Sequence, residues 1–233
     1  MLEQTLTLIL AGGQGERLKP LTLRRAKPAV PFGGAYRIID FTLSNCLNSN
    51  LRRIYVLTQY KSYSLDKHLQ RGWNIFSYEG GEFLYRIPPQ HRVGQKWYQG
   101  TADAVYQNIY LLERQRPAHV LILSGDHVYR MDYGAMIAHH VETNADMTVG
   151  CIEVDLETAK GFGVMAVDED DRVLEFAEKP DNPKPLPGHE DTALASMGIY
   201  IFSKNVLKKL FSDHPKATDF GKEIIPTAIN TDY

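Results

Sequence analysis

Three short apolar runs divide the first half of the chain. They occupy Leu6–Leu10, Ile54–Thr58 and Val120–Leu123, and each gives way within two residues to Gly, Gln or a Ser-Gly pair. Apolar runs of this length that end in turn residues are typical of strands buried on both faces. Because parallel sheets bury their strands in this way, the pattern predicts a sheet covered by helices.

Helical periodicity occupies the stretches between these strands. The segment 65–70 is amphipathic, and apolar residues recur at helical spacing through 101–116 until Pro117 ends the pattern. A further helix is predicted over 133–143.

From Met147 onward the pattern changes to short strands, interrupted by a Pro-rich loop over 180–188. These strands are predicted over 147–154, 163–167, 173–178 and 196–202. No internal repeat or linker divides the sequence, so we expect the 233 residues to form one domain. The alternation predicts an α/β fold of Rossmann-like type, with a largely parallel sheet and helices on both faces.

A glycine-rich turn follows the first strand, and a cluster of basic residues follows the turn. The turn is Ala11-Gly12-Gly13-Gln14-Gly15, and the cations are Arg17, Lys19, Arg24, Arg25 and Lys27. Glycine lets backbone N–H groups approach an anion without a Cβ in the way. Neither the Walker A pattern nor G-x-G-x-x-G is present. A phosphate-binding loop is therefore predicted, with an ordinary strand-to-helix turn as the alternative.

Polar residues follow the second and third strands at equivalent places. Open α/β sheets bind ligands beyond the carboxyl ends of their strands, which places the Gly12–Gly15 turn, Gln59 and Asp126 on one rim. Asp126 follows Gly125 and is suited to bind a hard cation through oxygen, although a helix N-cap is the alternative. For Gln59 the alternative is a solvent-facing polar side chain.

Composition argues against several functions. The apolar content is 43% and the formal net charge is −2, so no general attraction to nucleic acid or to an anionic membrane is expected. Cys46 and Cys151 are too few for a disulfide framework or a Cys-rich metal site, and we predict that both are core side chains. Without an 18-residue apolar span or a leader pattern, we expect a soluble, cytoplasmic protein.

The glycine-rich turn is part of a longer pattern, GG-x-G-x-R-L-x-P-L-T followed by K-P, which resembles the signature of the sugar-nucleotide pyrophosphorylases. The likeness continues through RAKPAVPFGG, RIIDFTLSNCLNS, WYQGTADAV, SGDHVYRMDY, EFAEKP, ASMGIYIF and DFGKEIIP. It implies the nucleotide-diphospho-sugar transferase fold and a Mg²⁺-dependent transfer of a nucleotidyl group to a sugar 1-phosphate. The longer segments are similar to those of the members that use ATP and α-D-glucose 1-phosphate to make ADP-glucose for glycogen- or starch-type α-glucan synthesis.

The same resemblance implies a role for each matching position. The catalytic positions are Arg17, Lys27 and Asp126, of which Asp126 would also bind the metal. The nucleotide-binding positions are Ala11, Gly12, Gly13, Gly15, Gln59, Gln99 and Gly100. The glucose 1-phosphate positions are Tyr98, Gly163, Glu178, Lys179 and Ser196.

Members of this family usually carry a second metal-binding Asp and a C-terminal parallel β-helix, both beyond the position of Tyr233, and assemble as homotetramers. We therefore expect residues 1–233 to represent the nucleotidyltransferase catalytic domain without its C-terminal part, and to turn over weakly alone. Arg24 stands where some relatives place an activator-binding Lys, which leaves the response to an activator open. Two other functions stay open: a pyrophosphorylase that uses dTTP or UTP, and a binding fragment that needs a partner segment.

Overall fold

The computed structural model of the protein describes residues 1–13, 15–90 and 97–231. Its strands are β1 (Thr5–Ala11), β2 (Pro31–Phe32), β3 (Tyr36–Arg37), β4 (Arg53–Thr58), β5 (Phe83–Ile87), β6 (His119–Ser124), β7 (Met147–Asp155), β8 (Gly163–Val167), β9 (Val173–Glu178) and β10 (Thr192–Ser203). Its α-helices are α1 (Ile38–Asn48), α2 (Tyr63–Gly72), α3 (Thr101–Tyr106), α4 (Tyr110–Gln115), α5 (Tyr133–Glu142), α6 (Leu156–Ala159), α7 (Lys204–Asp213) and α8 (Ile225–Asn230). Short 3₁₀ turns cover Leu2–Gln4, Glu16–Leu18 and Lys27–Ala29, and a π-helical turn covers Phe220–Ile224.

Strand pairing divides the main sheet into two halves. In the first half β5, β4, β1 and β6 are parallel neighbours in that order. In the second half β10 runs antiparallel to β6, β7 and β8, and β8 pairs antiparallel with β9. The predicted α/β class with a parallel centre is confirmed, and the complete sheet is mixed because the later strands return as antiparallel neighbours. A separate two-stranded sheet pairs β2 with β3.

Both faces of the parallel half are buried under helices, as predicted. Along β1, Leu6 and Leu8 enter one core cluster and Ile9 enters the other, and Val120 and Leu121 divide in the same way on β6. Such alternation between two cores is what a strand covered on both sides requires. One cluster takes its helical residues from α3, α4, α7 and α8, and the other from α1, α2 and α5.

Most of the predicted elements are confirmed, and the differences are local. The strand predicted over 196–202 begins earlier, at Thr192, and contains a register shift between Ser196 and Ile199. The loop 180–188 is irregular as expected, apart from a bridge between Leu186 and His189. The sequence pattern does not predict β2, β3, β5, α1, α6, α7 or α8.

The prediction of one continuous helix over 101–116 is wrong, because the structure has two helices there, α3 and α4. The side-chain Nδ2 of Asn108 donates to the backbone oxygen of Ala104 at 2.8 Å. This is the acceptor that the Asn108 backbone N–H would use in a continuous helix, and that N–H donates instead to Val105 O at 3.0 Å. Competition from a side-chain amide of this kind interrupts the helical ladder.

Both cysteines pack as predicted, since Cys46 is buried and Cys151 is half-buried, and neither is in a disulfide. Among the helices of the described residues, none combines the length and the apolar character that a membrane span needs.

A buried histidine connects α5 to β7. The Nδ1 of His140 lies 2.8 Å from Thr148 Oγ1, and its ring meets the His119 ring edge-on with centroids 5.1 Å apart. Burial, together with His119 and His139, lowers the pKa of His140 to about 4. In the unfolded chain this histidine has an ordinary pKa near 6.5. Between pH 6.5 and 4 it is therefore protonated in the unfolded chain but neutral in the folded chain.

We predict that stability falls as the pH falls through this window. At pH 5 the His140 contribution amounts to about 2 kcal/mol, or roughly 4–8 °C in Tm. Thermal melts at pH 7 and pH 5 measure it. His140→Gln should reduce the drop, whereas His139→Gln, at the exposed neighbouring position, should retain most of it, because burial is the main cause of the lowered His140 pKa. An equal drop in the parent and in His140→Gln would contradict the assignment.

Candidate active site

The main cavity opens where β10 changes its partner. Along one edge β10 pairs with β8 through Leu194 and Ala195, and with β6 from Tyr200 onward. Between these pairings the register against β7 shifts, and Gly198 adopts a φ of 67°. A cavity of about 450 Å³ lies there, between the parallel and the antiparallel half of the sheet.

Most of the predicted site residues line this one cavity. Those that do are Gly12, Gly13, Gln59, Tyr98, Gln99, Gly100, Asp126, Gly163, Glu178 and Ser196. Gly12 and Gly13 of the glycine-rich turn, Gln59 and Asp126 therefore meet at one cavity, as the strand ends predict. Five predicted residues lie outside the lining: Ala11, Gly15, Arg17, Lys27 and Lys179.

Asp126 is a partly buried carboxylate at the carboxyl end of β6. Its Oδ1 accepts a 2.6 Å hydrogen bond from Ser124 Oγ, and its Oδ2 lies 3.0 Å from Lys27 Nζ. Burial alone would raise the pKa of Asp126, but His127, Ser124 and Lys27 together outweigh it and hold that pKa well below its usual range. The group is therefore an anion at neutral pH, available to a cation.

Lys27 reaches Asp126 from the 3₁₀ turn Lys27–Ala29. The turn is fixed from behind, because Arg37 Nη1 donates to Ala29 O at 2.6 Å and Ile38 N donates to Val30 O at 3.1 Å. Lys27 thus lies beside the cavity with its charge balanced by Asp126. A phosphate or a metal ion that enters here competes with this ion pair.

The glycines of the turn leave space where a side chain would fill the site. A Cβ on Gly12 would lie 3.2 Å from Gln59 Cβ, and one on Gly13 would lie 3.7 Å from Asp126 Oδ2. Gly15 has a φ of 65°, and a Cβ there would lie 2.9 Å from Lys27 Cβ. Left-handed backbone and crowding therefore require glycine at Gly15, whereas a Cβ on Gly13 would make only an ordinary van der Waals contact with Asp126. Gln14 lies outside the described residues.

Ala11 and Arg17 are two of the predicted residues that lie outside the cavity lining. Ala11 is the last residue of β1 and is buried, so only its backbone can face a ligand. Arg17 lies in the exposed turn Glu16–Leu18, and it forms no hydrogen bond or ion pair with any residue that the structure describes. The structure thus brings Lys27 to Asp126 but does not bring Arg17 there.

The wall beside the glycine-rich turn is held by polar contacts. Gln59 Nε2 donates to Tyr98 O at 3.3 Å, and Gln99 N donates to Asp103 Oδ2 at 2.8 Å. The hydroxyl of Tyr98 accepts a 2.9 Å hydrogen bond from Asn108 Nδ2, and burial raises its pKa, so it stays protonated. The amide that interrupts the predicted helix therefore also fixes an aromatic side chain of the cavity.

The far end of the cavity is formed by β8 and β9. Gly163 pairs with Glu178 across these strands, and Lys179 Nζ lies 3.4 Å from Glu178 Oε1. Lys179 has a φ of 50°, a left-handed conformation that costs a non-glycine residue roughly 1 kcal/mol. Its backbone N–H is held by Phe162 O at 2.9 Å. Backbone strain of this kind is typical of functional sites.

Sequence reasoning missed Asp219, which also lines the cavity. Its Oδ1 accepts from Lys222 N at 3.0 Å, and its Oδ2 from Thr101 Oγ1 at 3.3 Å. An Asp before Phe-Gly at the start of a helical turn predicts an N-cap, and it has that role here. Its presence in the cavity depends on the packing of α3 against 218–221, for which the sequence holds no local signal.

The described residues, 1–13, 15–90 and 97–231, contain no group of three or more His, Cys, Asp or Glu side chains arranged to hold a metal.

Comparison with known proteins agrees with this architecture. Residues 6–233 match the family described as Nucleotidyl transferase, and the chain belongs to that family. The chain is 60% identical to the glucose-1-phosphate adenylyltransferase of Paramagnetospirillum magneticum, in an alignment covering 99% of this chain and 55% of the relative. It is 57% identical to glucose-1-phosphate adenylyltransferase 2 of Vibrio vulnificus, over 99% of this chain and 58% of the relative. The chain thus spans a little over half the length of these curated relatives.

Gly100 provides a direct test of how tightly the cavity wall is assembled. Ala102 N donates to Thr218 O at 2.9 Å, and a Cβ on Gly100 would overlap that carbonyl group. We predict that Gly100→Ala lowers the free energy of unfolding by about 1–3 kcal/mol, because backbone must move to accept the methyl group.

The matched control is Gly161→Ala, where the nearest atom to a new Cβ is Thr158 O at 3.5 Å. It should change the free energy of unfolding by less than about 0.5 kcal/mol. Urea unfolding compares the two variants. If Gly100→Ala proved as stable as Gly161→Ala, the packing described for α3 and 218–221 would be wrong.

Proposed function

We propose that the chain is the catalytic domain of an adenylyltransferase that joins ATP and α-D-glucose 1-phosphate into ADP-glucose and releases diphosphate. The observation that carries this proposal is one cavity with two different ends. Gly12, Gly13 and Asp126 lie at one end, and Glu178 and Ser196 lie at the other. The names of the relatives support adenine as the base and glucose as the sugar.

The proposed reaction needs little covalent help from the protein. A phosphate oxygen of glucose 1-phosphate attacks the α-phosphorus of ATP, the bond to the β-phosphate breaks, and its electron pair leaves with diphosphate. The nucleophile is already an anion, so no general base has to remove a proton. Catalysis then depends on alignment of the two phosphates and on stabilisation of the charge on the leaving group.

At the nucleotide end we assign the phosphates to the backbone of Gly12 and Gly13 and to Lys27. Glycine amides and a lysine point charge are both suited to this task. Gln59 and the Gln99-Gly100 pair are assigned to the adenine. Amide groups carry both donors and acceptors, which can match the ring nitrogens and the amino group of adenine. Arg17 is assigned to the leaving phosphates, a role that requires its exposed turn to move toward the cavity.

Asp126 is the residue assigned to Mg²⁺. Magnesium bound with phosphates typically uses one or two protein carboxylates, and the structure offers one ionised carboxylate with open space beside Gly13. When bound, the metal would neutralise charge on the phosphates of ATP. Lys27 would then be released from Asp126 to contact a phosphate directly.

At the sugar end we assign glucose to Glu178, Ser196, Gly163 and Tyr98. A carboxylate and a hydroxyl accept from sugar hydroxyls, the glycine permits close approach, and the aromatic ring can cover one face of the sugar. Lys179 is assigned to the phosphate of glucose 1-phosphate. Its strained backbone and its exposed ammonium group fit a residue that is held for a ligand.

Exchange of labelled diphosphate into nucleotide tests this proposal against its alternatives. With glucose 1-phosphate present, we expect ATP to support exchange at least about tenfold faster than UTP or dTTP, a difference worth about 1.4 kcal/mol. A faster rate with UTP or dTTP would assign another nucleotide. Saturable binding of ATP without any exchange would favour a binding fragment.

We predict that Lys179→Gln changes the KM for one substrate and not for the other. The loss of a charge-assisted contact worth about 1.5–3 kcal/mol should raise the KM for glucose 1-phosphate about tenfold or more. The KM for ATP should change less than about twofold, because ATP does not use this contact. Steady-state kinetics in both substrates measures the split.

The control for this variant is Lys184→Gln, a lysine of the following loop that pairs with Glu175 on the surface. It should leave both KM values unchanged. Equal increases for ATP and glucose 1-phosphate in Lys179→Gln would refute the assignment of this side chain to the sugar phosphate.

A further inference from the structure

A nearly buried carboxylate lies in the first turn of α1, outside the lining of the cavity described above. Asp40 is only 6% exposed. Its Oδ2 accepts from the backbone N–H of Arg37 at 2.8 Å, and its Oδ1 accepts from Trp73 Nε1 at 2.8 Å. His68 Nε2 lies 2.7 Å from Oδ1 and 2.9 Å from Oδ2. Asp40 therefore joins the start of α1 to α2 and to the residue that follows α2.

The capping of α1 does not account for all of these contacts. The cap needs the bond from the Arg37 N–H to Asp40 Oδ2. The contacts with His68 and Trp73 are additional, and they connect α1 with a different helix. Hydrogen bonds of this kind, made behind the residues that touch a ligand, hold a binding site in its productive geometry.

The two helices that Asp40 connects also support the turn Lys27–Ala29. Both α1 and α2 pack against this turn. Ala29 is fully buried in the core cluster to which α1 and α2 contribute. The guanidinium group of Arg37, whose backbone N–H is held by Asp40, donates to Ala29 O at 2.6 Å. The turn that carries Lys27 is therefore anchored to the part of the structure that Asp40 connects.

We propose that Asp40 is a positioning residue for Lys27. Asp40 fixes α1 against α2, and these two helices fix the turn Lys27–Ala29. The turn in turn directs the Lys27 ammonium group to its 3.0 Å contact with Asp126 and, when ATP is bound, to a phosphate. Asp40 acts through Lys27 and is not part of the cavity lining. This inference rests on the phosphate contact proposed for Lys27.

The two oxygens of Asp40 accept from different groups, which allows a defined test. The Arg37 backbone N–H and the Trp73 indole N–H can only donate. Asp40→Asn keeps the size of the side chain, but in either orientation of the amide its NH₂ group faces one of these two donors. Trp73→Phe removes one donor, so the amide oxygen of Asp40→Asn/Trp73→Phe can face the Arg37 N–H.

Calorimetric titration with ATP and Mg²⁺ measures the effect on Lys27. We expect Asp40→Asn to raise the Kd for ATP about threefold or more, because a displaced ammonium group loses part of a charge-assisted contact. Asp40→Asn/Trp73→Phe should return to within about twofold of Trp73→Phe alone, because the mismatch is removed. In Lys27→Met, adding Asp40→Asn should change the Kd less than about twofold, because the side chain through which Asp40 acts is absent.

Two controls separate this role from a general loss of stability. Asp132→Asn alters a comparable cap, since Asp132 Oδ1 accepts from Gly134 N at 2.8 Å at the start of α5, and it should leave the Kd for ATP unchanged. The Kd for glucose 1-phosphate, whose phosphate is assigned to Lys179, should change less than about twofold in Asp40→Asn. Urea unfolding checks that each variant is folded under the conditions of the titration.

A second variant interrupts the same route if Asp40→Asn does not fold. Arg37→Met removes the bond to Ala29 O at a half-buried position, and it should raise the Kd for ATP in the parent but not in Lys27→Met.

The outcomes distinguish this inference from the function on which it rests. A Kd for ATP that rises in Asp40→Asn, recovers with Trp73→Phe and no longer depends on Asp40 in Lys27→Met supports the inference. The inference is overturned if Lys27→Met weakens ATP binding but Asp40→Asn does not. It is also overturned if the effect of Asp40→Asn persists in Lys27→Met, because Asp40 would then act through another part of the structure. If Lys27→Met binds ATP as tightly as the parent, the proposed phosphate contact of Lys27 is wrong and the role of Asp40 falls with it.

Discussion

The ion pair between Lys27 and Asp126 is the contact around which the candidate site is organised. Asp126 follows β6 and Lys27 belongs to a turn beyond β1, and these neighbouring parallel strands bring the two charges to one edge of the sheet. His127, Ser124 and the 3.0 Å contact with Lys27 together keep Asp126 ionised despite its burial, and Asp126 balances the charge of Lys27 until a ligand arrives. Gly13 keeps the adjacent space empty. A phosphate ligand with its metal could therefore take over both charges together.

The second constraint is the change of partner along β10. A strand that pairs first with β8 and then with β6 must leave a gap between them, and the shift after Ser196 places that gap next to Asp126. The antiparallel half thereby brings Glu178 and Lys179 toward the site residues that the parallel half contributes. A single cavity lined by residues of both halves of the sheet is the consequence, and the proposed transfer between two phosphates rests on it.

The sequence predicts what depends on neighbouring parallel strands and misses what depends on distant packing. Gly12, Gln59 and Asp126 could be placed on one rim because buried apolar runs mark the strands and the rim follows their carboxyl ends. The break at Asn108 could not be predicted, since it results from a buried amide that bonds to Ala104 and to Tyr98. Asp219 enters the cavity only through packing of α3. The roles of these residues in substrate binding rest on resemblance and stay predictions.

The affinity for ATP, measured with Mg²⁺ and with EDTA in the parent chain and in Asp126→Asn, tests the role of Asp126 directly. If Asp126 holds the metal and restrains Lys27, Mg²⁺ should strengthen ATP binding in the parent about tenfold or more, worth at least about 1.4 kcal/mol. In Asp126→Asn that gain should disappear, while binding in EDTA should stay equal or improve, because a negative charge is lost and Lys27 is freed. The same gain from Mg²⁺ in both proteins would show that Asp126 does not hold the metal.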